Sequence, residues 1–378
     1  MQEANGSKKV LITGGAGFVG SHLADGLLKA GHRVRVLDDL APQVHPTGIP
    51  DYLSPEVELV QGDVRDPNRL REVLRDMDVI YHFAATVGVG QSMYEISRYM
   101  SVNTLGTAEL LQAMLDAKMT PKKLIVASSM SIYGEGEYAC AACGAAAFPP
   151  VRTVAQLKES RWEVQCPACS GVLVPRPTAE TKPSEINSIY ALSKRDQEEL
   201  CLIYGRTYGV PVTALRFFNI YGTRQALSNP YTGVAAIFAA RLLNNQAPLI
   251  FEDGEQMRDF VSVHDIVRAN MLAMERPESD GEVINIGCGK PITIRHVAEI
   301  LATALGKDIA PVITQKYRAG DIRHCYANLE KARRLLGYEP QVTHEDGFRE
   351  LAAWLGSQQA EDKAETMLQE LSTYGLTA

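Results

Sequence analysis

Tyr190 and Lys194 stand four residues apart in the stretch SIYALSKRDQEELCLIYGRTYGV. That stretch predicts one helix, with Ser188 as its N-cap and Gly209 followed by Pro211 as its stop, so the two side chains share a face. A tyrosine at its ordinary pKa of about 10 is a poor base at neutral pH, and a neighbouring ammonium favours its phenolate. Upstream, Ser128 and Ser129 end the predicted strand KLIVASS, at the carboxyl edge of a sheet, where ligands bind in doubly wound folds. A serine, a tyrosine and a lysine so arranged suit removal of a proton from a substrate hydroxyl.

A second constellation lies near the start. VLITGGAGFVGSHLADGLLKAGHRVRVLDD sets a glycine loop between a predicted strand and a predicted helix. Gly15, Gly17 and Gly20 satisfy GxGxxG, and Gly14, Gly17 and Gly20 satisfy GxxGxxG. Such a loop turns tightly, lets the backbone approach a pyrophosphate and aims a helix N-terminus at its charge. Asp38, 18 residues past Gly20 at the end of the next strand, can accept hydrogen bonds from an adenosine ribose. Asp39 beside it adds to the repulsion of a 2′-phosphate, which favours NAD over NADP.

The third constellation is CAAC and CPAC, a C-x2-C-x22-C-x2-C pattern of Cys140, Cys143, Cys166 and Cys169. Two such knuckles supply four thiolates to a tetrahedral zinc and leave no open position for catalysis, so structural zinc is expected. Two disulfides or free thiols are the alternatives.

The elements that must hold these residues are short Val- and Ile-rich runs alternating with helical patterns: KKVLITG, RVRVLDD, VELVQGD, DVIYHFA, KLIVASS, VTALRFF and EVINIG. They predict an α/β fold, a mainly parallel doubly wound sheet of the Rossmann type. Residues 135–183, 220–250 and 288–378 interrupt the rhythm. The first reads as a zinc-knuckle insert and the other two as a smaller lobe, leaving 1–219, continued by about 251–287, for the main domain. The tail from Ser357 reads as a polar helix. The chain has 378 residues, a net charge of -7 and no basic stripe, which argues against nucleic acid. It shows no signal-like start and no apolar run of roughly 18 residues, so a cytoplasmic protein with no membrane segment is expected.

The pieces TGGAGFVGSHL, QGDVRD, HFAA, VNTLGT, SSMSIYG, YALSK, LRFFNIYG, MRDFVSVHD, NIGCG and YRAGDIRH occur in that order. With them the sequence resembles the extended short-chain dehydrogenase/reductase family, and within it the NAD-dependent nucleotide-sugar epimerases and dehydratases, over roughly residues 8–134 and 175–355. The resemblance implies that Gly14, Gly17, Phe18, Val19 and Asp38 hold NAD, and that Asp63 and Val64 flank its adenine. It sets Ala84, Ala85, Asn103 and Ser128 along the cofactor and Phe218 near the nicotinamide. Ser129, Tyr190 and Lys194 become the catalytic trio, with Tyr190 and Lys194 also touching NAD. Ser129, Asn219, Arg258, Arg318 and Asp321 fall where relatives grip the substrate, a nucleoside-diphosphate sugar. Two arginines suit a diphosphate, since each can bind it bidentately. A homodimer through the 190–208 helix and the neighbouring 100–117 segment is also implied.

Sugar 4,6-dehydratases resemble the chain but carry Asp-Glu directly after the catalytic serine, and decarboxylating relatives keep the Glu. Met130 and Ser131 stand there instead, and neither is a proton-transfer carboxylate. That leaves 4-epimerisation as the expected reaction. A 4-keto reductase or dehydrogenase, a 4,6-dehydratase and a non-catalytic NAD- or zinc-dependent sensor are the alternatives. Relatives separate the serine and the tyrosine by roughly 25 residues, whereas 61 separate Ser129 from Tyr190, and the excess is the cysteine insert. It is expected either to rim the sugar pocket, with LKESRW as a short helix turning Trp162 inward, or to serve a subunit contact or stability alone. The insert, with RQALSNPYTGVAAIF downstream, also resembles bacterial dTDP-L-rhamnose 4-epimerases. UDP-linked sugars remain equally open.

Overall fold

The computed structural model describes residues 6–229, 231, 233–318, 320–358 and 362–377. The chain opens with β1 (Lys9–Thr13), α1 (Phe18–Lys29), β2 (Arg33–Asp38), β3 (Glu58–Gln61), α2 (Pro67–Val73) and β4 (Val79–His82). Two short helices, α3 (Val89–Ser92) and α4 (Ile96–Tyr99), then run through a π-helical stretch, Met100–Leu105, into α5 (Gly106–Asp116), and β5 (Lys123–Ser129) follows. The insert holds β6 (Glu137–Cys140), β7 (Ala146–Ala147), α6 (Val154–Lys158) and β8 (Leu173–Arg176). After it come α7 (Ile189–Tyr208), β9 (Val212–Phe217), β10 (Asn219–Tyr221), α8 (Val234–Leu243), β11 (Leu249–Ile250) and β12 (Met257–Ser262). The remainder is α9 (Val263–Glu275), β13 (Val283–Ile286), β14 (Pro291–Thr293), α10 (Ile294–Ala304), β15 (Val312–Ile313), β16 (His324–Cys325), α11 (Glu330–Leu336), α12 (His344–Leu355) and α13 (Ala364–Thr373).

Seven strands form one parallel sheet in the order β3-β2-β1-β4-β5-β9-β13. The order reverses between β1 and β4, so the carboxyl ends of β1, β2, β4 and β5 open on one crevice, which is where such sheets bind ligands. Its strands are apolar on both faces because helices cover both: β5 is buried at every position. One core contains Leu23 and Leu27 of α1 with Ile266 and Ala269 of α9, and the other contains Leu110 and Met114 of α5 with Cys201 and Leu202 of α7. Ser188 caps α7 by accepting from the Ala191 N–H, and Gly209 ends it at φ 70, the left-handed conformation that glycine adopts without strain.

Segment 251–287 divides. Its α9 and β13 complete the main domain, but β12 pairs with β10, β14 and β16 in a separate small sheet. The smaller lobe packs α8, α10 and α12 around Phe238, Leu301 and Phe348. In the insert, β7-β6-β8 make an antiparallel sheet over a core of only Tyr138, Cys140, Ala147, Val164, Cys166 and Leu173. Helix α6 ends at Lys158, ahead of Trp162, which nevertheless turns inward to pack with Leu157 and with Tyr317 of the smaller lobe. The tail is not polar throughout: α13 buries Ala364, Met367 and Leu371. Gln359, Ala360 and Glu361, which the polar-helix expectation also covered, lie outside the described residues. No described helix is long and apolar enough to cross a membrane.

Candidate active site

The glycine loop is shaped by close backbone approach. Gly14 has φ +70, and a Cβ there would meet Ala84 N at 2.8 Å, while one on Gly20 would meet Gly14 O at 2.5 Å. Gly17 caps α1 without a side-chain hydrogen bond, so the first N–H groups of the helix, at Phe18 and Val19, are available to an anion. Asp38 is buried at the end of β2, accepting from Ala16 N and Leu40 N, both at 3.0 Å. Burial raises its pKa, against those two N–H groups and His45. Each carboxylate oxygen keeps a further acceptor site for a ribose hydroxyl. The cradle therefore fits a dinucleotide on its own geometry.

Several residues expected along the cofactor have their side chains engaged within the protein. Asp63 is clasped by Arg65, whose hydrogen bonds hold the carboxyl below its usual range, while Val64 is buried in the core beneath it. Asn103, in the π-helical stretch, accepts from Thr86 N at 2.7 Å and donates to Thr86 O and Ser193 Oγ. It thus fixes the backbone just past Ala84 and Ala85. Ser128 Oγ donates to Glu198 at 2.6 Å, and Glu198 is paired with Arg216. Phe218 is buried, with its N–H bound to Ile286 O.

Ser129 and Tyr190 meet at the carboxyl end of β5. Burial pushes the Tyr190 phenol up to about 12, and its hydrogen bond with Ser129 opposes that rise. Ser92 Oγ accepts from Tyr190 N at 3.0 Å, and the Tyr99 ring stands edge-on to the Tyr190 ring at 6.3 Å. Lys194 differs from expectation. Its ammonium donates to Gln197 Oε1 at 2.7 Å, burial lowers its pKa to about 7, and no pull of Lys194 on Tyr190 is resolved. Gln197 in turn contacts His82 and Thr107. Gln197 and His82 are positioning groups that reading the sequence missed; one turn beyond Lys194 on the same helix, Gln197 was the legible signal.

Of the substrate candidates, Arg258, Arg318 and Asp321 come together, with Asp321 between two arginines: Arg258 Nη2 at 3.3 Å and Arg318 Nη2 at 2.8 Å. Burial would raise Asp321, but Arg318, Arg258 and Arg152 hold it below its usual range. Arg258 also donates to the carbonyls of Met257, Ile322 and Arg323, and Arg318 lies 4.9 Å from the centre of the Phe251 ring. Asn219 Oδ1, Ser131 Oγ and Arg318 Nε are buried with no protein partner, an arrangement that suits a polar ligand.

Arg152 belongs to the insert, and its role was not legible in the sequence. It binds Glu252 through two hydrogen bonds of 2.8 and 2.9 Å and donates to Asp321 O and Trp162 O. Arg323 joins Glu252 and Asp253 of the smaller lobe to Glu163 of the insert. The cysteines gather apart from the trio, their four Sγ atoms within 4.8 Å of one another.

A Rossmann crevice, a Ser-Tyr-Lys trio and an arginine pair define a nucleotide-dependent enzyme of the short-chain dehydrogenase/reductase type. Residues 10–153 and 168–287 match the NAD dependent epimerase/dehydratase family, and the chain belongs to it. It is 33% identical over 369 residues to the dTDP-L-rhamnose 4-epimerase of Burkholderia thailandensis, covering 95% of this chain and 99% of that one. The UDP-glucose 4-epimerase of Thermotoga maritima, solved with UDP-glucose, matches at TM-score 0.75 and 31% identity over 92% of this chain and 98% of that one. The UDP-glucuronic acid 4-epimerase of Bacillus cereus, solved with UDP-glucuronic acid and NAD, matches at TM-score 0.76 and 27% identity, over 92% and 99% of the respective chains.

Proposed function

We propose that the protein is an NAD-dependent isomerase that epimerises carbon 4 of a nucleoside-diphosphate hexose linked to dTDP or UDP, dTDP-L-rhamnose among them. The observation that carries this reading is the packing of α7, which carries Tyr190, on β5, which ends at Ser129, in a crevice where Met130 and Ser131 stand in place of the acid and base that dehydration needs. Tyr190 removes the proton of the sugar 4-hydroxyl while Ser129 hydrogen-bonds the same oxygen, and Tyr190 returns a proton after the 4-keto sugar turns over. NAD, held by Gly14, Gly17 and Asp38, supplies the hydride acceptor and donor at carbon 4. With both Tyr190 and Lys194 buried, a positive charge at the site favours the phenolate, and Lys194 provides it when protonated. Arg258 and Arg318 retain the diphosphate while the sugar turns.

The cysteine cluster fits structural zinc. Cys140 and Cys169 Sγ are 3.4 Å apart and Cys143 and Cys166 Sγ 3.9 Å, against edges of about 3.8 Å for a tetrahedron of ~2.3 Å Zn–S bonds. Gly144 and Ser170, each following the second cysteine of its knuckle, have φ 72 and 59, which turns both knuckles alike. A homodimer is supported by Leu105, Ile203 and Tyr208, which are 48%, 50% and 48% exposed on the packed 100–116 and α7 segments.

The test is proton NMR of the protein with dTDP- and UDP-sugars in D2O without added reductant. Conversion to the 4-epimer with no deuterium in the ring supports the reading; loss of water, or reaction only with added NADH, overturns it.

A further inference from the structure

The C-terminal segment reaches the candidate site at two separated points. At one end α13 lies against α3, the helix whose Ser92 holds the backbone of Tyr190. A Cβ on Gly90 would sit 3.1 Å from Leu371, and the Tyr94 and Tyr374 rings stack at 4.6 Å with an interplanar angle of 4°. The Tyr231 hydroxyl donates to Glu370, and the Tyr94 hydroxyl lies 2.9 Å from the same Glu370 oxygen and 2.5 Å from the Tyr231 hydroxyl, its one proton shared between them. Tyr231 lies against Gly88, where a Cβ would be 2.9 Å from both Tyr231 Cβ and the hydroxyl of Tyr99, the ring edge-on to Tyr190. At the other end Thr377 forms an antiparallel bridge with Arg318.

These two ends bracket the span that a nucleoside-diphosphate sugar must occupy, with its reacting carbon at Tyr190 and its diphosphate at Arg318. We propose that residues 364–377 form the outer wall of the nucleotide-sugar site, fastened by Glu370 and Tyr374 on the sugar side and by Thr377 on the diphosphate side, and that they close over bound ligand. The inference rests on the nucleotide-sugar reading above. It assigns binding roles to Tyr94, Tyr231, Glu370 and Tyr374. The carboxylate-phenol contacts are the part that orients the wall, because two phenols converging on one carboxylate fix a direction that apolar packing alone does not.

The experiment uses the full chain, with dTDP and UDP as probes in titration calorimetry, together with the rate of tryptic cleavage after Lys363. The wild-type chain is expected to bind at least one probe and, once saturated, to be cleaved at least fivefold more slowly. The Glu370→Ala/Tyr374→Ala variant is expected to bind about tenfold more weakly and to lose that protection at an unchanged melting temperature. Tyr94→Phe keeps the ring and removes one hydrogen bond, and about threefold weaker binding is expected, which serves if the double variant folds poorly. Binding within twofold of wild type, with cleavage indifferent to nucleotide, would overturn the wall while leaving the nucleotide-sugar reading intact. A wild-type chain that binds neither probe would overturn both.

Discussion

The 135–183 insert and the 362–377 tail both reach the strap around Arg318 and Asp321, but they are fastened by opposite means. The insert is held by buried charge. Arg152 and Glu252 side chains are each 1% exposed, and Arg323, fully buried, ties Glu252 and Asp253 to Glu163. The tail is held by three small or flexible apolar residues, one ring stack and partly exposed phenol-carboxylate contacts. Breaking one member of a buried ion pair strands its partner at a cost of about 3–5 kcal/mol, whereas exposed polar contacts contribute about 1 kcal/mol or less. The insert is thus bound firmly to the smaller lobe, whereas the tail is held by contacts that cost less to break.

The largest expected effect calibrates both. Lys194→Ala touches neither addition, and should lower turnover by about 10²–10⁴-fold while melting temperature stays near wild type. Loss of the buried positive charge that Lys194 supplies when protonated also moves the residual rate toward higher pH, which a pH-rate profile would reveal. Next comes Arg152→Met. It removes one of the two arginines that neutralise the buried Glu252, leaving only Arg323, and should lower the melting temperature by roughly 5–10 °C, with weaker nucleotide-sugar binding because Asp321 loses its Arg152 contact; calorimetry and thermal melts read the two effects. If Arg152→Met proved thermally silent, the contrast between insert and tail would collapse.

Chelation sharpens the contrast inside the insert. Removal of metal should release one zinc per chain, measured with a colorimetric chelator, and open the two cysteine knuckles to proteases while the main sheet keeps its circular dichroism. The Arg152 and Glu163 anchors lie outside the thiolate cluster, so the insert should stay attached at that end. The smallest effect is acid loosening. Partial burial opposes ionisation of Glu163, but His324 and Arg323 hold its carboxyl down at about 2, below the ordinary 4.5. Its contribution is therefore complete above about 4.5 and is lost as pH falls through about 2. Near-ultraviolet circular dichroism, sensitive to Trp162, should change over that window.

Much of the site was legible because its chemistry is local. The glycine loop, the four-residue spacing of Tyr190 and Lys194, and the two cysteine knuckles each depend on neighbours within one turn or one loop. The seven parallel strands were legible for a related reason, since burial on both faces demands unbroken apolar runs. The division of 251–287 between two sheets was not, because Met257–Ser262 reads as a strand wherever it pairs.

The seven apolar strands, the helical spacing of Tyr190 and Lys194 and the pairing of four cysteines in two knuckles are properties of this sequence by itself, set by periodicity and short-range spacing. Tertiary structure alone decided that Asn103 grips Thr86, that Lys194 turns to Gln197, that Arg152 and Arg323 lock the insert to the smaller lobe, and that α13 packs against α3 and Tyr94. Each joins residues 17 to more than 270 positions apart, except the short Lys194 contact. In the buried cases a polar group goes to whichever partner remains once water is excluded, and that choice depends on the whole packed neighbourhood.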